Sequence, residues 1–174
     1  QSYERSVEHL SRLYRVTPEI IAHDAHPDYA ATRYAMTRPE PKIAVQHHHA
    51  HLASCLAEHG IPPGQPVIGV IFDGTGLGPD GAIWGGEVLI GSYDGYQRLA
   101  HLRYVPLPGG DAATLRPYRA ALAHLWAAGI AWDADLAPVS ALSERERPIL
   151  TQQLARGINA PDTSSMGRLF DAAA

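Results

Sequence analysis

Pro66-Val67-Ile68-Gly69-Val70-Ile71-Phe72-Asp73-Gly74-Thr75-Gly76-Leu77-Gly78 is the stretch on which the fold turns. Its first half is a β-branched apolar run, the strongest strand signal in the chain. The second half alternates glycine with other residues and predicts a glycine-rich turn over Asp73–Gly78, because glycine accepts positive φ at no steric cost. Two further strands follow, Ile83 to Ile90 and Tyr96 to Leu102. With no helix between them, the three form an antiparallel meander.

Upstream, His47 to Glu58 reads as a helix, with Gly60 as its stop and Pro62-Pro63 beyond. Before it lie two short apolar runs, Ile20-Ile21-Ala22 and Ile43-Ala44-Val45, each readable as a strand. A short helix is expected over Asp28–Met36, broken by Pro39 and Pro41. Val7, Leu10, Leu13 and Tyr14 make the first fifteen residues an amphipathic helix that Pro18 closes. Downstream, Pro106 to Asp111 is a second Gly/Pro loop, and Leu115 to Ala128 is a helix carrying Leu122, Leu125 and Trp126. Ser143 with Glu146 resembles a capping box. The class is therefore α/β, and the meander after the histidine-rich helix marks the beginning of a second lobe. Without an initiator methionine, and stopping at Phe170-Asp171-Ala172-Ala173-Ala174 with a last helix scarcely begun, the chain reads as a piece of something longer.

Four of the ten histidines fall between positions 47 and 51. At about 100° per residue from His47, His51 lies near 40°, Ser54 near 340° and Glu58 near 20°. Leu52, Cys55, Leu56 and His59 occupy the opposite flank, between about 80° and 180°. His47 and His51 thus share a polar stripe, an i,i+4 pair able to put two imidazole nitrogens on one metal ion. His48 falls towards the apolar flank and His49 points away. The alternative is an ordinary imidazole cluster on a polar face. A tight site also needs a carboxylate, and Asp73 at the end of the strongest strand is the best local candidate.

The glycine stretch has two readings as well. It is a plain turn, or its N–H groups converge on a phosphate. Leu107-Pro108-Gly109-Gly110-Asp111 is either a second close-approach loop or a turn with Asp111 as helix N-cap. His23, Asp24, His26 and Asp28 either order their own loop or help form the site. Cys55 reads as a core packer.

Composition bounds the rest. Hydrophobic residues at 45% and charged residues at 18% are those of a globular domain. A net charge of −4 argues against a phosphate-backbone-binding surface, so no nucleic-acid partner is expected. No run approaches the roughly 20 apolar residues of a membrane span. A single cysteine suits a reducing compartment, and the cytoplasm is the expected location.

Five segments resemble, in order, the signatures of the carbamoyltransferases that mature nickel–iron hydrogenases. They are His23–Tyr29, Val45–His51, Phe72–Glu87, Leu107–Asp111 and Ser164–Asp171. The resemblance implies an actin- and sugar-kinase-like (ribonuclease-H-like) fold, with residues 1–65 ending a first lobe, 66–174 starting a second, and the C-terminal remainder absent. It also implies a divalent metal, iron or zinc, held by His47, His51 and Asp73, with a further aspartate outside this chain. Asp73, Gly74, Thr75, Gly76 and Gly78 would then cradle phosphate, and Gly109 and Gly110 would lie near the nucleotide. The implied reaction moves the carbamoyl group of carbamoyl-adenylate, made from carbamoyl phosphate and ATP, to the C-terminal cysteine of a partner maturation protein. Alternatives are an O-carbamoyltransferase acting on a small hydroxylated molecule, or a non-catalytic nucleotide- or partner-binding lobe.

Overall fold

A computed structural model describes residues 2–174; Gln1, within the first predicted helix, lies outside the described residues. Helix α1 (Ser2–Tyr14) ends with Arg15 at φ 54°, where the Val16 N–H reaches the Ser11 carbonyl at 3.0 Å. That left-handed cap, rather than Pro18, closes the helix. Strand β1 (Ile21–Asp24), helix α2 (Ala30–Met36), strand β2 (Lys42–Val45) and helix α3 (His47–Glu58) follow. β1 and β2 pair in parallel, with Asp24 opposite Val45. A parallel pair requires a crossover, and α2 supplies it.

The meander is β3 (Val67–Leu77), β4 (Ile83–Gly91) and β5 (Tyr96–His101). β4 lies between β3 and β5, antiparallel to both. Here the sequence expectation needs correcting: β3 does not stop at Phe72 but runs through the glycines, with a register irregularity between Phe72 and Gly76. Gly74, Gly76 and Gly78 are not among the positive-φ residues, and the chain reverses only at Gly81, φ 82°. α3 packs Leu52 and Leu56 against the inward face of this sheet, in a cluster with Ile71, Ala82, Trp84 and Leu89. Gly69 makes that approach possible, because a Cβ there would lie 2.6 Å from Leu52 Cδ1. The outward face of edge strand β3 leaves Ile68, Val70 and Phe72 exposed.

β6 (Val105–Pro106) leads through Gly109 and Gly110, at φ 89° and 52°, into α4 (Asp111–Leu115). Asp111 is the first helical residue, not the cap. The single helix expected over Leu115–Ala128 is broken at Arg116-Pro117, so α5 is Tyr118–Ala127. α6 (Ala137–Ser140), α7 (Glu146–Arg156), the short strand β7 (Asp162–Thr163) and α8 (Met166–Ala173) complete the chain. The capping box is half formed. Ser143 Oγ accepts the Glu146 N–H at 3.2 Å, but the Glu146 carboxylate turns to Tyr118 and Arg119. β7 joins the sheet between β4 and β6, and its hydrogen bonds start α8 beside β3.

Candidate metal centre

Two elements deliver the site. α3 begins at His47, so the pair His47 and His51 sits at the N-terminal end of that helix. Gln46 caps it, its Oε1 accepting the His49 N–H at 2.9 Å. β3 brings Asp73 under the two rings. One ligand atom from each of His47, His51 and Asp73 falls within 4.8 Å of the others, a spacing that fits one ion. Asp73 Oδ2 lies 3.1 Å from His47 Nε2 and 3.7 Å from His51 Nε2. It is buried and makes no hydrogen bond, as expected of a carboxylate oxygen shaped for a cation. The other carboxylate oxygen accepts the Gly74 N–H at 2.6 Å. Two imidazoles and a carboxylate suit iron or zinc alike.

The glycines of β3 acquire a different reason from the one the sequence suggested. A Cβ at Gly76 would lie 2.5 Å from His48 Cε1 and 2.8 Å from His47 Cδ2. One at Gly78 would lie 2.1 Å from Trp84 Nε1. Both residues are bare so that histidine and tryptophan rings can press onto the strand. Gly74 and Thr75 remain open, and with Gly110, Asp111 and Arg168 they line a cavity of about 410 Å³. Ser165 Oγ contacts the Asp73 and Gly74 carbonyls at 2.9 and 2.8 Å, tying the start of α8 to the carboxylate-bearing segment.

The other sequence candidates separate cleanly. His49 donates from Nε2 to the Ser92 carbonyl at 2.8 Å and rests against Tyr96, so it holds α3 to the β4–β5 turn. His48 is fully buried, yet its Nε2 stands 3.6 Å from Asp73 Oδ2, inside the site's perimeter. Asp24 contacts both its own loop and His47 of the histidine pair. Oδ1 accepts the His26 N–H at 2.7 Å, and Oδ2 accepts the hydrogen bond of His47 Nδ1–H at 2.6 Å. His23 turns its Nδ1 to the Asp24 carbonyl, and His26 accepts the Asp28 N–H. Tyr29 stacks on His26 at 4.2 Å, and burial, then the charges of Asp24 and Asp73, raise its phenol above the ordinary value. Cys55 is exposed, which overturns its reading as a core packer. Of Leu52, Cys55, Leu56 and His59 on that flank of α3, only Leu52 and Leu56 are buried against the sheet.

Burial pushes His48 down from 6.5 to about 4, with Asp73 opposing the shift and His47 adding to it. A histidine depressed in the native state is protonated first in the unfolded chain. Its stabilising share is therefore complete above pH 6.5 and is lost as pH falls through that interval. The loss is at most about 3 kcal/mol. Urea unfolding at a series of pH values should show the wild-type chain losing stability more steeply than His48→Gln between neutral pH and pH 4.

Residues 69–174 match the family described as the carbamoyltransferase Kae1-like domain, second subdomain, and residues 1–58 match the HypF Kae1-like domain. The chain is 46% identical over 175 residues to carbamoyltransferase HypF2 of Cupriavidus necator, covering 97% of the chain and 21% of that protein. It is 49% identical over 168 residues to carbamoyltransferase HypF of Rhodobacter capsulatus, covering 93% and 22%. The full-length HypF crystal structure in a phosphate- and nucleotide-bound form superposes with a TM-score of 0.89 at 45% identity, over 98% of this chain and 22% of that one. HypF of T. kodakarensis gives 0.80 at 36%, over 98% and 24%. The chain thus spans about a fifth of the length of these relatives. Its fold is the actin/sugar-kinase-like α/β architecture. Among the described residues no helix is long and apolar enough to cross a membrane.

Proposed function

Since the chain belongs to the HypF family of carbamoyltransferases, we propose that it forms the metal-holding part of a carbamoyl-transfer site serving nickel–iron hydrogenase maturation in the cytoplasm. The observation that carries this reading is the convergence of His47, His51 and Asp73, with ligand atoms within 4.8 Å, beside a cavity open to Gly74 and Thr75. In the proposed reaction a C-terminal cysteine thiolate of the partner maturation protein attacks the carbamoyl carbon of carbamoyl-adenylate, itself made from carbamoyl phosphate and ATP. A C–S bond forms, the C–O bond to phosphate breaks, and AMP leaves with its electron pair; the thiol proton has gone to solvent beforehand. A bound divalent metal, iron or zinc, supplies Lewis-acid polarisation of the carbonyl or phosphate oxygen.

The chain's own residues hold and orient. His47, His51 and Asp73 provide the ligand atoms. Gly74 and Thr75 face the phosphate, while Gly110, which lines the same cavity, brings backbone close to the nucleotide, and Gly109, whose open side is filled by Arg119, supports the turn. Gly76 and Gly78 drop out of that cradle, because rings fill the space a ligand would need. No side chain here serves as a covalent nucleophile. The division into a first lobe over 1–65 and a second from 66 belongs to the same proposal.

The test supplies carbamoyl-adenylate to the metal-loaded chain with either a cysteine-terminated peptide or a hydroxylated sugar, and follows the product by mass spectrometry. S-carbamoylation of the peptide that chelation abolishes is the expected result. Carbamoylation of the sugar alone would replace this reading with the O-transferase one. Transfer to neither acceptor, from a chain that binds metal and adenylate, would leave a binding lobe.

A further inference from the structure

His47 and His48 are neighbours in sequence, and their rings, 5.4 Å apart, both face Asp73. Their outer contacts differ in kind. His47 Nδ1 is 2.6 Å from Asp24 Oδ2, a carboxylate oxygen that can only accept. The proton therefore sits on His47 Nδ1, and Nε2, which makes no hydrogen bond to Asp73 Oδ2 although it lies 3.1 Å away, carries the lone pair. His48 Nδ1 instead faces Gln46 Nε2 at 3.1 Å. The amide's orientation is fixed independently, because its Oε1 has to accept the His49 N–H, and Nε2 also points at the Leu77 carbonyl, 3.2 Å away. An amide nitrogen only donates, so His48 Nδ1 is the acceptor and the proton sits on Nε2.

We infer that Asp24 and Gln46 impose opposite tautomers on adjacent histidines, so that the inner nitrogen of His47 offers a metal a lone pair while that of His48, 3.6 Å from Asp73 Oδ2 and not hydrogen-bonded to it, carries a proton. Asp24 is then the positioning residue of the centre. A carboxylate on the far nitrogen of a ligating histidine fixes its ring and raises its basicity. It reaches His47 because the parallel β1–β2 register sets Asp24 beside Val45, two residues before His47. Gln46 has the complementary role: it leaves His48 with a proton on the nitrogen nearest Asp73, although that nitrogen is as near to Asp73 as that of His51, 3.6 against 3.7 Å. Spacing sets the same boundary, since His47, His51 and Asp73 group their ligand atoms within 4.8 Å without His48; the outer partners add which inner nitrogen is free to bind.

This assignment rests on the metal reading only for its consequence; the tautomers themselves belong to the metal-free chain. Nitrogen-15 NMR of the histidine side chains in metal-free protein at pH 8 is the test. The expected spectrum has His47 protonated on Nδ1 and His48 on Nε2. Asp24→Asn keeps an oxygen for the His26 N–H and turns an amide NH2 onto His47, so His47 should switch to the Nε2-protonated form while His48 stays unchanged. Zn2+ affinity should fall about 10–100-fold in that variant. Asp24→Ala should weaken Zn2+ binding without imposing the switched tautomer. His47 found on Nε2 in the wild type, or an Asp24→Asn chain with wild-type tautomers and wild-type Zn2+ affinity, overturns the inference. A wild-type chain with the expected tautomers that takes up no Zn2+ would refute the metal reading and leave the tautomer frame intact.

Discussion

A chain carrying His47→Ala and His51→Ala should retain no divalent metal, whereas the purified wild-type protein should hold an equimolar amount by elemental analysis. The magnitude follows from the donor count. A complete four-ligand structural zinc site is worth about 10–16 kcal/mol, so each ligand contributes about 2.5–4. Losing both imidazoles therefore costs on the order of four decades of affinity or more. Asp73 alone, still bonded to the Gly74 N–H, is no more than a weak cation contact. The rings are partly or largely solvent-accessible, with side-chain exposures of 26% and 52%, so both substitutions leave the fold in place, and circular dichroism should be unchanged. Metal retained in the double variant would move the site elsewhere in the molecule.

Arg98→Ala should cost about 3–5 kcal/mol of folding stability, the usual result of stranding a buried charge. Glu87, on the central strand β4, is fully buried. Its Oε1 accepts the N–H groups of Gly85 and Gly86 and the Ser164 hydroxyl, and its Oε2 takes Arg98 Nε–H at 2.6 Å. Arg98 then donates to Tyr104 at 2.7 Å and lies 3.9 Å above the Trp84 ring. Removing the guanidinium leaves the carboxylate without its counter-charge inside the sheet. Denaturant unfolding should show the loss directly. A Glu87→Gln/Arg98→Met double variant should recover most of it, because neither buried charge remains and Asp80, the other carboxylate paired with Arg98 at 3.3 Å, is exposed to solvent; equal losses in the two would mean that packing of the arginine stem, not charge, carries the effect.

Periodicity exposed much of this architecture. The apolar spacing of α1, the β-branched run that starts β3 and the strands β4 and β5 are local signals, and each begins within a residue or two of its expected place, although β3 runs five residues further than expected. The pair His47 and His51 was legible because helical spacing alone puts them on one face. Asp24 was not, since its partner lies 23 residues away and the contact exists only through a parallel register. The glycines misled for a specific reason. Glycine answers equally to a need for positive φ and to a need for no side chain, and a sequence records the residue without the need. Gly76 and Gly78 answer to the second. The break before Pro117 is the local effect of a proline on the residue preceding it, whereas the exposure of Cys55 depends on how α3 sits on the sheet, which a helical wheel does not contain.

Cys55 turns from an error of reading into an instrument. It is the chain's single cysteine, it is exposed, and it follows His51 by one turn of the same helix, a rise of about 6 Å. A thiol-reactive fluorophore or spin label will therefore attach at one place on the native sequence, with no competing thiol to remove. Sitting on a rigid helix so near the ligand atoms, such a label would be quenched or broadened by a paramagnetic ion and left untouched by a diamagnetic one. The molecule thus carries, unmodified, a built-in ruler for which metal occupies it and when.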